Sequence, residues 1–333
     1  MSPPPVPEDT LGLHELWNPQ KNDPGAVIKA DLVAVHGLGG DAFTTWTHPD
    51  SHFLWLRDQL PTSLQSLRIF TFGYNANLFV NGARGRSFTF AEDLLSQLHD
   101  ERAGVGHRPL FFAGHSLGGI VIKKALIMAR MRSKKYEDIL HCTRHIFFFG
   151  TPHQGANKTA FVNFLNKLVG GLQLDNSTSA VDELSLWSDS LLDTLASFSE
   201  IASNLSFTTF WETKPTKGIQ IVEEGSARMN LSTETPVSLS ANHKEVCKFR
   251  SVDDSNYRSV IRRINAELGK LQDARAIREH EGRFRDMNSL YFEVPFPQNP
   301  NFVRRDNIFK RLDEKLGGSS DSIVVLHGLG GVG

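Results

Sequence analysis

The first group in this chain with the makings of covalent chemistry is the serine in "AGHSLGG". Gly114, Ser116 and Gly118 spell G-x-S-x-G between an apolar run, "LFFA", and a segment of helical periodicity. In that context a tight strand-to-helix turn lifts a hydroxyl clear of its neighbours. The plain alternative is a serine at an ordinary turn. A serine hydroxyl is a weak nucleophile until a base takes its proton, and the base needs an acid to orient it. When the order is nucleophile, acid, base, each after its own strand, the acid falls after "SFTTFWE" at Glu212 and the base beyond Val222. His243 is the histidine beyond that strand and before the long helical stretch. Glu223 and Glu224, one strand later, are alternative acids, or else two solvated carboxylates at a strand end. This chemistry needs no metal and no organic cofactor.

Acyl transfer also needs N–H groups aimed at a developing oxyanion, and losing one typically costs about 3 kcal/mol of transition-state stabilisation. One donor is expected at Leu117, just after the serine, and the other at Leu38, in "VAVHGLGGD". His36 and His115 read as structural, and His153 in "GTPHQG" either shapes an acyl pocket or has no role. The peptide HGLGG recurs at the end of the chain in "VVLHGLGGVG". There Gly328 and Gly333 have the spacing of the outer glycines of a P-loop, but the lysine and the serine or threonine that would hold phosphates and Mg²⁺ do not follow. This second copy reads as the broken start of a nucleotide-binding domain, which should not bind nucleotide well.

The elements that must position these groups alternate. Strands are predicted at 31–37, 67–74, 109–116, 144–155, 206–213 and 218–226; helices are predicted at 52–61, 87–102, 117–132 and 255–277. Such alternation predicts an α/β fold, a mostly parallel sheet with helices on both faces. Residues 156–205 interrupt it with helices, an insertion that can serve as a lid; its Phe161, Phe164, Leu165 and Leu168 would pack on the sheet or meet lipid. The expected order is a disordered proline-rich arm over 1–25, the catalytic domain over 26–255, a helical connector over 256–293, a proline-rich linker over 294–306, and the P-loop fragment over 307–333.

A net charge of −1 gives no reason to expect nucleic acid. Cys142 and Cys247 are too few for a disulfide framework, which points to a reducing compartment, the cytoplasm or another. No secretory signal and no membrane span is read from the sequence, although peripheral contact with intracellular membranes is compatible with it.

The motifs "VAVHGLGGD…W", "GHSLGGIVIKKAL", "FFGTPHQGA", "FWET" and "NHKEVCKF", in that order over about residues 30–250, resemble the lipase-like α/β-hydrolases of the serine-active-site-containing proteins and GPI inositol-deacylases, the DUF676 type. The tail "VPFPQNPNFVRRDNIFKRLDEKL…VVLHGLGGVG" is similar to the entry of an NB-ARC domain. The pairing resembles the fungal NOD-like receptors (STAND NTPases), in which such a hydrolase is the N-terminal effector. The resemblance implies an α/β-hydrolase fold, an esterase or lipase with Ser116 and His243 catalytic and Glu212 as acid, and an acyl-ester or lipid substrate. It also implies control by oligomerisation through an NTPase region, and a mitochondrial or endoplasmic-reticulum membrane as a place of work. The rival reading is an interaction module that keeps the fold with little turnover.

Overall fold

The computed structural model describes residues 7–76, 86–153, 163–164, 166–168, 170, 193–203 and 205–288. The chain falls into two compact units, Met1–Ile277 and Arg278–Gly333. Every contact discussed below lies in the first. The predicted linker and the P-loop glycines Gly328 and Gly333 lie outside the described residues.

Among the described residues seven strands form one sheet, in the order β1-β3-β2-β4-β5-β6-β7. They are β1 (Gly12–Trp17), β2 (Ala30–Val35), β3 (Leu67–Gly73), β4 (Leu110–His115), β5 (Thr143–Phe149), β6 (Ser206–Glu212) and β7 (Glu234–Leu239). β1 runs antiparallel to β3; every other pairing is parallel. The central strands β2, β3 and β4 are buried along their whole length and mostly apolar in sequence because both faces of the sheet are covered. Alternate residues divide between two cores: Val33 and Val35 join one cluster, Leu32 and Ala34 the other. The helices are α1 (Pro19–Asn22), α2 (Trp55–Asp58), α3 (Leu60–Ser63), α4 (Arg86–Glu101), α5 (Leu117–Met131), α6 (Ser133–Cys142), α7 (Glu224–Ala227) and α8 (Ser255–Asn288). Residues of α4, α5 and α6 line the first core, and those of α2, α3 and α8 line the second. This is the predicted α/β-hydrolase class of architecture, a mostly parallel sheet between helical layers.

Four local expectations are corrected. Gly12–Trp17, inside the predicted disordered arm, is strand β1. The open edge of β3 pairs with it from Gly12↔Gly73 onward, and Gln97 accepts the Leu13 N–H at 2.8 Å. The predicted strand over 218–226 is a turn followed by α7; the strand is β7 instead. Ile221 and Val222 are buried, which gave that segment its strand-like pattern, while Pro236 disguised β7. Proline is tolerated there because β7 is an edge strand. The predicted helix over 52–61 is two short helices, with Pro61 in the first turn of α3; a proline is at home there because that N–H has no helical acceptor. The connector expected from 256 begins as part of the domain core, because Tyr257, Val260, Ile264 and Leu268 of α8 bury one stripe in the second cluster.

In the insertion, residues 193–202 are helical, and Phe164, Leu168 and Phe198 join the first core. Phe161 and Leu165 fall outside the described residues. Among the described residues, no helix is long and apolar enough to cross a membrane.

Candidate active site

Ser116 occupies the one-residue bend between β4 and α5, with φ 52° and ψ −123°. A side chain held at positive φ costs of order 1–3 kcal/mol and persists only when its surroundings fix it. Here the Ser116 N–H donates to the Phe149 carbonyl at 2.9 Å, and the Ser116 carbonyl accepts from the Gly119 N–H and the Thr151 hydroxyl, each at 3.1 Å. The next turn of α5 presses on β2, so a Cβ at Gly118 would run into the carbonyl oxygens of Val35 and His36. That close approach is the physical content of the second motif glycine.

Three side chains from distant segments converge. His243 Nε2 lies 3.0 Å from Ser116 Oγ. His243 Nδ1 lies 3.2 Å from Glu212 Oε1 at the end of β6. Glu212 Oε1 also accepts the Val222 N–H at 2.7 Å. Serine, histidine and glutamate are all buried. Glu223 and Glu224, the alternative acids, point elsewhere. Glu223 pairs with Lys167 at 2.9 Å and Glu224 with Arg228 at 3.1 Å, both at the surface.

The imidazole is also gripped through its backbone. The His243 N–H donates to Thr216 Oγ1 at 3.0 Å, and His115 Nε2–H donates to the His243 carbonyl at 2.9 Å. Burial first, then the nearby His243, pulls the His115 pKa down to about 3, so it serves as a neutral donor. Burial likewise lowers His36 to about 4. The bonding pattern assigns its tautomer: Nδ1–H donates to the Gly37 carbonyl at 2.9 Å, and Nε2 accepts the Tyr74 N–H at 3.0 Å. Both histidines are structural, as expected. His153 is not free to shape a pocket: its Nδ1 accepts from Lys123 Nζ at 2.7 Å, and its ring packs on Phe148.

Gly37–Gly40 forms a tight turn, closed by the Gly40 N–H on the Gly37 carbonyl at 3.3 Å, with Gly39 at φ +68°. Leu38 sits at its leading corner. Gly37 packs against the Ser116 bend, where a Cβ would meet the Ser116 Cβ at 2.8 Å. The Leu117 N–H is the first of α5, where no helical acceptor exists. The residues predicted to supply oxyanion donors thus lie in the turn whose Gly37 packs on Ser116 and at the first position of α5. A cleft of about 250 Å³ opens beside this turn, lined by Leu38, Gly39, Thr44, His115, Lys244 and Lys248 among others.

Sequence reasoning missed the supports. Gly150, at φ +55°, passes so close that a Cβ would sit 3.0 Å from His243 Nδ1 and 3.3 Å from Glu212 Oε2. Its position after the strand "IFFFG" hinted at a turn, but not at that neighbour. Nothing local marks Thr216 or the Val222 amide as partners of the site.

No protein-family model matches the chain. Curated relatives include the protein named SERAC1 of mouse, 32% identical over 273 residues, and that of human, 30% identical over 271 residues. Each alignment covers 73% of this chain, and the chain spans about 40% of the length of these relatives. Solved structures of similar shape include the mature lipase BlEst2 of Bacillus licheniformis, with 18% identity, a TM-score of 0.47, and coverage of 70% of this chain and 92% of that one. A lipase-esterase related protein of Clostridium acetobutylicum has 11% identity and a TM-score of 0.46, and covers 78% and 99%.

Proposed function

We propose that the chain is a serine hydrolase of acyl esters. The observation that carries this reading is the continuous relay from Ser116 Oγ to His243 Nε2 at 3.0 Å and from His243 Nδ1 to Glu212 at 3.2 Å. In this reading His243 takes the Ser116 proton as Oγ attacks the ester carbonyl. The Leu38 and Leu117 N–H groups receive the oxyanion, and Glu212 steadies the imidazolium that forms. His243 then returns the proton to the leaving alkoxide, giving an acyl-enzyme. Water, activated by the same imidazole, releases the acid and restores the serine. The curated relatives and the motif order support the assignment. No metal or organic cofactor enters it.

Lipid as the ester, a role as the effector of a receptor, and a place at intracellular membranes extend this proposal and rest on the motif resemblance alone. The test of the core reading is labelling by a fluorophosphonate. Wild-type protein becomes covalently modified, Ser116→Ala does not, and both melt cooperatively. A folded wild type that never labels and never turns over an ester refutes the hydrolase and favours an interaction module on the same fold.

A further inference from the structure

The cleft beside the Leu38 turn carries a charge pattern that the hydrolase reading does not use. Lys244 directly follows the proposed base, and it lines the cleft with Lys248. Lys248 Nζ is anchored on the Thr44 carbonyl at 2.6 Å, which leaves two of its three N–H groups unspent. Burial, and then Lys217 and Lys248, lower the Lys244 pKa. Two ammonium groups, Lys244 and Lys248, therefore repel each other at a partly enclosed space, and Lys217 adds to the repulsion felt by Lys244.

The neighbouring carboxylates do not answer them. Asp41 is committed to the turn, accepting the Phe43 and Thr44 N–H groups at 2.8 and 2.9 Å and the Thr44 hydroxyl. Glu245 accepts from Asn242 at 2.8 Å, and Asp50 pairs with Arg250 at 3.2 Å. Among the described residues, no carboxylate forms an ion pair with Lys217, Lys244 or Lys248. A bound anion would relieve this repulsion and take up the free donors. Leu38 and Gly39 of the proposed oxyanion turn line the same cleft, as does His115, the residue before Ser116, so an anion held here shares its walls with that turn.

We propose that Lys244 and Lys248 form an anion subsite beside the proposed oxyanion turn, so that the ester this protein cleaves carries an oxyanionic group, such as a phosphate, near its scissile carbonyl. The substrate part of this inference rests on the hydrolase reading; the anion site itself does not.

The test has two arms. In the first, kcat/KM is compared for monobutyrin and for butyrylglycerol 3-phosphate, which share the acyl group and differ in charge. The phosphate ester is preferred by roughly tenfold, as two screened charge pairs allow. The preference falls towards one in Lys244→Met, further in the Lys244→Met Lys248→Met double variant, and also in about 0.5 M salt, where screening is short-ranged. Inorganic phosphate competes with the phosphate ester. Equal kcat/KM for the two esters, or a preference that survives the double variant, overturns the proposal. So does inorganic phosphate that changes monobutyrin turnover in the absence of any ester preference, because the site then serves a free anion.

In the second arm, glycerol 3-phosphate is titrated calorimetrically into Ser116→Ala, which needs no turnover. Binding that weakens about threefold in Lys244→Met, as one screened charge pair allows, supports the subsite; no binding, or binding indifferent to the lysine, refutes it. Failure of both esters and of fluorophosphonate labelling sinks the hydrolase reading, and the substrate claim with it. Calorimetry still decides the subsite.

Discussion

Replacing Gly150 by alanine separates two costs that usually come together. Gly150 has φ +55°, and an added Cβ would stand 3.0 Å from His243 Nδ1, 3.1 Å from its Cε1 and 3.3 Å from Glu212 Oε2. Gly104 has φ +77° with nothing within 4 Å of the same added atom. Alanine in a left-handed conformation costs about 1–2 kcal/mol at either site. In a domain of this size that lowers Tm by about 2–8 °C. Only at Gly150 must something also move. Relief to ordinary contact at 3.4 Å requires the imidazole to shift by a few tenths of an ångström, and its ring nitrogens are held between Ser116 and Glu212. A displacement of 1 Å at a reacting group can cost about a hundredfold, so a shift of this size should lower kcat roughly tenfold. The assay is kcat and KM on a soluble p-nitrophenyl ester, with Tm measured on the same samples. Gly104→Ala is expected to melt lower with kcat intact; Gly150→Ala should melt lower and lose kcat with little change in KM. If Gly150→Ala keeps kcat within twofold of Gly104→Ala, the crowding argument fails and the glycine serves backbone conformation only.

Two further outcomes follow from the same geometry. In the proposed mechanism, Glu212→Gln removes the charge that steadies the imidazolium while leaving the side chain's size unchanged. It should lower kcat by about 10³–10⁴, whereas Glu223→Gln and Glu224→Gln, at surface ion pairs, should stay within about twofold of wild type; loss at either of those with Glu212→Gln active would reassign the acid. Lys123 is buried against Phe148 and Phe198, and burial lowers its pKa from 10.5 to about 7, with Glu234 opposing. Between those values the unfolded chain binds the extra proton, so stability should rise with pH from about 7 towards 10.5. Lys123→Met should flatten that rise; a wild-type Tm that does not increase from pH 7 to 9 relative to Lys123→Met would contradict the burial.

Much of the fold was readable along the chain. Strands β2 to β6 and helices α4 and α5 announce themselves by apolar runs and helical periodicity, because each buries a face that is set locally. Elements whose identity depends on a remote partner were misread. β1 is polar enough to pass for an arm and exists because β3 has an open edge. β7 carries a proline that only an edge position tolerates. The 218–226 segment looks like a strand, but its buried residues pack while its Val222 N–H serves Glu212. The helical start at 255 was visible, yet its place in the domain core was not, since the stripe has meaning only against the sheet face it covers.

The same division holds for the site. The G-x-S-x-G turn and the glycine-rich turn after β2 are local devices, so Ser116, Leu117 and Leu38 could be named from spacing alone. Chain order narrowed the remaining partners to His243 and to one of three glutamates. Tertiary structure puts Glu212 beside the imidazole and Glu223 and Glu224 in surface ion pairs, because reach to an imidazole depends on where the ends of β6 and α7 stand in space. It also supplied what no spacing encodes: His115 on the His243 carbonyl across 128 positions, Gly150 against the His–Glu contact, and the lysines around the cleft. Local patterns specify conformation because their energetics close within a few residues. Contacts between distant segments are set only once the whole sheet has fixed which loops share an edge.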